Sequence, residues 1–197
     1  MYFKNLNLLL IRTLDILLST MGIIILSPIF IFVYILIYFD NRSPLFFQER
    51  VGIKQKVFIL IKFRSMKIST NNCATHLVDP RKITNLGKFL RKTKLDELPQ
   101  LWNVLKGDMS MIGPRPCLIT QKELIKNRIK YNLYSIKPGI TGIAQINRID
   151  MSDPELLAKI ESKMIIRYNL FFYFYYIILT LLGLGSGDRV KNINTKN

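Results

Sequence analysis

Several residue types are scarce in this chain, and each scarcity excludes something. Cysteine occurs only at Cys73 and Cys117, with no Cys-x-x-Cys pair. That leaves no disulfide framework and no clustered zinc site, and it fits a reducing compartment. Histidine occurs once, as His76 in the polar stretch NNCATHLVDP, where it reads as a solvated loop residue. Acidic residues are few: 13 Asp and Glu stand against 29 Lys and Arg, for a formal net charge of +16. Such an excess of cation calls for an anionic partner, whether lipid headgroup, nucleotide, lipid phosphate or nucleic acid. No repeat, low-complexity linker or nucleic-acid-binding motif interrupts the 197 residues, a length that suits one domain with appendages.

What the chain does have is apolar sequence, 49% of its residues, an unusual companion to so much charge in a soluble domain. A membrane protein with a cationic cytoplasmic side can be rich in both. Ile16–Phe39 carries no formal charge, and as a helix it extends roughly 36 Å, more than the hydrocarbon core of a bilayer. No small-residue cleavage site closes it, which argues against a signal peptide. Ser27-Pro28 lies near its middle, where proline must kink or break a helix. Both flanks are basic, with Lys4 and Arg12 before and Arg42, Arg50, Lys54 and Lys56 after. Cations favour the cytoplasmic side, so a hairpin entering and leaving on one face is one reading, and a kinked single span is the other. A second apolar segment, Met164–Leu184, carries the aromatic run Phe171–Tyr176. It reads as a helix lying at the membrane interface, or as a buried core helix.

Between these segments the pattern predicts an α+β arrangement. Pro44–Gln48 and Val57–Phe63 flank ERVGIKQK as a β-hairpin. Ser69–Arg81 is a polar loop, Lys82–Lys94 a short basic helix, and Asp96–Leu105 a helix stopped by Gly107. Thr120–Tyr134 is helical in pattern, with Lys122, Lys126, Arg128 and Lys130 set to meet anionic lipid or water. Lys137–Gly142 reads as a turn. The division is a membrane helix over 1–40 and a helical domain with a small hairpin and interfacial amphipathic helices over 41–197.

The densest chemistry lies in LDELPQLWNVLKGDMSMIGPRP, Leu95–Pro116. Asp96 and Glu97 are adjacent carboxylates at a helix start, where the dipole and the cations Arg91, Lys92 and Lys94 favour the ionised form. An ionised carboxylate can attack phosphorus, and its neighbour can hold magnesium. The plain alternative is a helix cap. Around the pair, Lys62 and Arg64 alternate on one strand, and Gly113-Pro114-Arg115-Pro116 is a stiff turn that fixes one arginine. Arginine offers a planar fork suited to phosphate oxygens.

Four blocks together, FFQERVG, FILIKFRSM, LGKFLRKTKLDELPQLWNVLKGDMSMIGPRP and KPGITGIAQIN, resemble the bacterial sugar transferase family, the monotopic polyprenyl-phosphate phosphoglycosyl transferases. The resemblance implies transfer of a sugar 1-phosphate from a UDP-sugar to undecaprenyl phosphate at the cytoplasmic face of the bacterial inner membrane. UMP is released, and a surface polysaccharide such as O-antigen or capsule, or a glycoconjugate, is begun. It implies Asp96 as the covalent nucleophile and Glu97 as the ligand of Mg2+. Lys62, Arg64, Arg91, Arg115 and Gln145 become substrate-binding residues, and Ser27-Pro28 the break of a re-entrant helix. The expected partners are the UDP-sugar, the polyprenyl phosphate and membrane lipids, without nucleic acid. The sequence departs from the family pattern at Gly142-Ile143, at Asn147-Arg148 and at Glu161. Two other readings stand beside this one: a membrane-tethered basic nucleic-acid-binding or adaptor protein, and a glycosyltransferase that moves only the sugar and releases UDP.

Overall fold

A computed structural model describes residues 2–68, 70, 79–166 and 168–185. His76, Cys73 and most of the expected 69–81 loop lie outside the described residues. The N-terminal apolar run forms two helices, α1 (Tyr2–Ile25) and α2 (Ser27–Asn41), parted at Leu26. Proline causes the break. Pro28 has no N–H to give the carbonyl of Ile24, and Ser27 Oγ donates to that carbonyl instead, at 2.8 Å. Leu6–Ile25 is long and apolar enough to cross a membrane.

Both helices are held to one body. Arg12 on α1 donates to the carbonyls of Val104 and Leu105, at 2.7 and 2.8 Å. Those belong to the last turn of α4 (Gln100–Lys106), where helical carbonyls have no partner of their own. Asp15 Oδ1 accepts hydrogen bonds from Ser110 Oγ, the Met111 amide and Tyr173 Oη, at 3.0, 2.9 and 2.8 Å. On α2, Val33 and Ile37 are buried against Phe63 and Leu90, and Asn41 Nδ2 donates to the Met66 carbonyl. The outward faces are bare: Ile24, Phe39 and Leu9 are 66%, 79% and 64% exposed. Apolar surface on this scale is what a soluble monomer avoids, and it marks a membrane or partner face.

The expected hairpin is present as β1 (Leu45–Val51) and β2 (Val57–Phe63), antiparallel with Phe46 opposite Lys62 and Gln48 opposite Leu60. Residues directly opposite share a face, so Gln48, Arg50 and Lys62 lie on one side of the ribbon and Phe47 and Ile61 on the other. The short basic helix is α3 (Asn85–Thr93), capped by Thr84 Oγ1, which accepts from the Gly87 amide at 2.9 Å.

Lys137–Gly142 is where the structure overturns the expected turn. Gly139–Thr141 is a strand, β4, paired in parallel with β3 (Ser110–Ile112), Ser110 opposite Gly139 and Ile112 opposite Thr141. A crossover containing α5 (Lys122–Lys130) joins the two. Glycine serves close approach here: a β-carbon on Gly139 would collide with the Gly113 amide. Three more helices follow among the described residues: α6 (Ile143–Ile146), α7 (Pro154–Ile166) and α8 (Leu170–Leu181).

Two helices differ from their expected surroundings. Arg128 on α5 faces neither lipid nor water. It is buried, and donates from Nε and Nη2 to both carboxylate oxygens of Glu161 on α7, at 2.9 and 2.8 Å. A buried cation demands such a partner. Helix α8 combines both readings of its segment: Tyr173 and Tyr176 are buried, whereas Phe171 and Leu181 are 72% and 81% exposed.

Glu161→Gln should therefore cost about 3–5 kcal/mol, because it strands a buried guanidinium. Replacing both partners, Arg128→Met with Glu161→Leu, should recover most of that loss. Denaturant midpoints of the detergent-solubilised protein measure both; equal midpoints for wild type and Glu161→Gln would contradict the assignment.

Candidate active site

Sequence pattern starts a helix at Asp96. The structure instead has a 3-10 turn over Leu95–Glu97 and begins α4 at Gln100, after Pro99. Asp96 is thus no side-chain cap. The turn is launched by Lys94, which ends α3 in the left-handed conformation at φ 62°. A non-glycine residue there carries strain of roughly 1–2 kcal/mol. With the chain turned so sharply, Asp96 points inward and is buried, 6% exposed. Among the described residues its Oδ1 has no hydrogen-bond partner.

Burial works against the expected ionised form, pushing the carboxyl up to about 6, which still leaves Asp96 mostly ionised at neutral pH. Loss of water, and secondarily the adjacent Glu97, push the Asp96 carboxyl above the usual carboxylate range. Lys62, Arg91 and Lys94 pull it back down without cancelling those effects. Asp96 therefore titrates closer to neutrality than a surface aspartate. The dipole argument fails because the turn is too short to align peptide dipoles behind the carboxylate.

Glu97 is held by Arg115, whose Nη2 donates to Oε1 at 2.6 Å. The carboxylate in turn keeps Arg115 charged, raising its basicity. The stiff turn before Pro116 thus delivers its arginine to the dyad. Lys62 stands on β2, half-buried, and its ammonium is pushed down to about 8 by burial first, then by Arg50, Arg91 and Arg115. Arg91 on α3 is buried beside them.

Two expected site residues are placed differently. Arg64 donates to the carbonyls of Ser43 and Leu45, at 3.0 and 3.3 Å, and lies over the Phe46 ring, so it braces the hairpin. Gln145 on α6 is buried, and its Nε2 donates to the Gly113 carbonyl at 3.2 Å, supporting the turn that carries Arg115. Ser27 and Pro28 sit at the helix break. Sequence reasoning passed over Arg50 and Gln48 as site residues. Arg50 is buried, its basicity pushed down to about 10 by burial and by Arg115. It donates from Nη1 to the Pro116 carbonyl at 2.9 Å and from Nη2 to Gln48 Oε1. The signal was their alternation on β1: polar residues at every second position on a buried ribbon face.

No cluster of three or more His, Cys, Asp and Glu side chains occurs among the described residues. Magnesium needs fewer, since one or two carboxylates with substrate phosphate oxygens suffice. The Asp96–Glu97 pair, with its buried unpartnered oxygen, offers ligands of that kind.

The family model for "Bacterial sugar transferase" matches residues 6–186. The chain belongs to that family. Galactosyl transferase CpsE of Streptococcus agalactiae is 36% identical over 205 residues, covering 95% of this chain and 45% of the relative. The undecaprenyl-phosphate galactose phosphotransferase of Salmonella typhimurium is 40% identical over 154 residues, covering 69% and 32%. The UDP-glucose:undecaprenyl-phosphate glucose-1-phosphate transferase of Escherichia coli is 39% identical over 167 residues, covering 82% and 36%. The chain thus spans between about a third and just under half of the length of these relatives. In this chain the adjacent carboxylates Asp96 and Glu97 form an anionic pair with Lys62, Arg91 and Arg115 acting on it.

Competitive labelling with a small amine reagent, read by mass spectrometry, should find Lys62 half-reactive near pH 8 rather than near the ordinary lysine value of about 10.4. Asp96→Asn removes an anion that holds its proton and should move that midpoint lower still. An ordinary midpoint at Lys62 would remove it from the cluster.

Proposed function

We propose that this sugar transferase moves a sugar 1-phosphate from a UDP-sugar to a polyprenyl phosphate in two steps through Asp96. The carrying observation is a buried carboxylate with an unpartnered oxygen, ringed by Lys62, Arg91 and Arg115. In the first step an oxygen of Asp96 forms a bond to the phosphorus bearing the sugar. The bond from that phosphorus to the bridging oxygen breaks, and UMP leaves with that oxygen. In the second step an oxygen of the lipid phosphate forms a bond to the same phosphorus. The P–O bond of the Asp96 acyl phosphate breaks, returning the carboxylate and a polyprenyl diphosphate sugar. No proton need move, because both nucleophiles are anions.

Glu97 would hold magnesium together with the donor's phosphate oxygens, and magnesium when bound neutralises part of the diphosphate charge. Lys62, Arg91 and Arg115 stabilise charge spreading over the transferring phosphoryl group. Arg50 and Gln145 position the Arg115 turn from its two sides. Near-equal identity to relatives named for galactose and for glucose leaves the sugar to experiment. The product would be the first lipid-linked intermediate of a surface polysaccharide.

The same reading places α1 and α2 in the cytoplasmic leaflet as a re-entrant pair. What supports it is attachment of both helices to one body, together with their bare apolar faces.

Against a panel of UDP-sugars with undecaprenyl phosphate and magnesium, the wild type should release UMP from at least one donor. Asp96→Asn should fold and lose the rate by at least about 10³-fold. UDP release, or full turnover by Asp96→Asn, would reject the mechanism. Cysteine introduced as Asn5→Cys should resist a membrane-impermeant thiol reagent applied to intact cells; labelling from outside would rule out the re-entrant arrangement.

A further inference from the structure

Strand β2 is paired with β1 along one edge, and among the described residues no strand pairs with the other. Such an edge presents amides and carbonyls that need partners. A single side chain supplies them at Ile59 and Ile61. Asn103 on α4 donates from Nδ2 to the Ile59 carbonyl at 2.7 Å, and its Oδ1 accepts from the Ile61 amide at 3.0 Å. A carboxamide suits the task because it carries an acceptor and donors in one plane. It bonds the backbone on both sides of Leu60, as a neighbouring strand would. Asn103 is 1% exposed, so water does not compete.

Position gives this clamp a use. Ile61 immediately precedes Lys62, the cation of β2 that acts on Asp96. Helix α4 follows the turn that presents Asp96. Lys62 and Asp96 thus belong to two elements, and Asn103 joins those elements by two directional bonds. Apolar packing also holds them: Phe58 and Leu60 on β2 lie in one buried cluster with Val104 and Met109. Apolar contact is non-directional and does not fix register by itself. Hydrogen bonds do, and a slip of one residue along β2 would turn Lys62 to the opposite face of the ribbon. The backbone of Asn103 extends the tie. Its carbonyl accepts from the Gly107 and Asp108 amides, at 3.1 and 3.0 Å, where α4 ends before β3.

We propose that Asn103 is the positioning residue that sets Lys62 against Asp96; its effect on rate rests on the transfer reaction proposed above. Its carboxamide is engaged with β2, so it acts through Lys62 and not by contact with the reacting atoms. Lys62 stabilises charge on the transferring phosphoryl group only from a fixed place, and a small displacement of such a cation weakens that stabilisation steeply. Loss of the clamp therefore lowers turnover more than it lowers affinity for the donor.

A double-mutant cycle with Lys62→Met, read by UMP release from the full chain in nanodiscs, tests this. Asn103→Ala should lower kcat at least about tenfold while the KM for the UDP-sugar changes less than about threefold. In the Lys62→Met background the same substitution should cost less than about threefold, because no ammonium is left to position. Equal losses in the two backgrounds would mean a merely structural role and overturn the proposal. A second readout needs no turnover. In amine labelling, Asn103→Ala should move the Lys62 midpoint from about 8 toward the ordinary value of about 10.4, since a loosened β2 admits water to the ammonium. Met164→Ala opens a cavity in a separate core, around Ile112 and Tyr173. It should lower the denaturant midpoint and leave Lys62 near 8. A Lys62 midpoint unmoved by Asn103→Ala, or moved equally by Met164→Ala, also overturns the proposal. Asn103→Asp keeps the acceptor for the Ile61 amide and loses the donor to the Ile59 carbonyl. It serves both readouts if the alanine variant does not fold. Should the wild type release UDP, or no nucleotide, the transfer reaction fails on its own and the labelling decides the place of Asn103.

Discussion

Two carboxylates adjacent in sequence, held side by side away from water, are the constraint from which the rest of this molecule follows. Like charges a few ångströms apart in a protein interior repel by several kcal/mol. Arg115 answers Glu97 directly, at 2.6 Å, and Lys62, Arg91 and Lys94 act on Asp96. The arginine must then be delivered accurately. Its turn is pinned by Arg50 at the Pro116 carbonyl, by Gln145 at the Gly113 carbonyl, and by parallel pairing of β3 with β4. A contact near the middle of the chain thus depends on residues more than thirty positions downstream. That gives the departures around Gly142-Ile143 a physical location. They sit on the scaffold beneath the turn, where a β-carbon on Gly142 would press on the Gly113 carbonyl at 2.5 Å.

In the proposed reaction, desolvation around the dyad would have a chemical use. A carboxylate stripped of water is a stronger nucleophile than a hydrated one, and the same burial makes it easier to protonate. The cations limit that second effect. Strain contributes to the geometry as well, since Lys94 occupies a backbone region that lysine seldom adopts, directly before the turn.

Much of this was readable in the residues, and what was not has identifiable causes. The hairpin, the helix ending at Gly107 and the break at Ser27-Pro28 follow from local chemistry: alternation, a left-handed glycine cap, a missing amide. The dyad and Arg115 were visible as a motif. Strand β4 was hidden because Pro138-Gly139 signals a turn, whereas here glycine permits two backbones to touch. Arg128 was hidden because a cation among Lys122, Lys126 and Lys130 looks solvated, and its partner Glu161 is 33 residues away. Arg50 could have been found from strand period alone. The raised titration of Asp96 was hidden because its burial does not show in the motif, and the 3-10 turn supplies no helix dipole to offset it.

The attachment of α1 also settles what kind of object this helix is. Arg12 occupies the carbonyl end of α4, and Asp15 is the common acceptor for a serine hydroxyl, a strand amide and a tyrosine on α8. These are the joints of an internal strut. A helix fastened in this way is not a detachable tether: removing it would strip two carbonyls and three donors of their partners in one cut. The helix and the body it braces therefore stand or fall together.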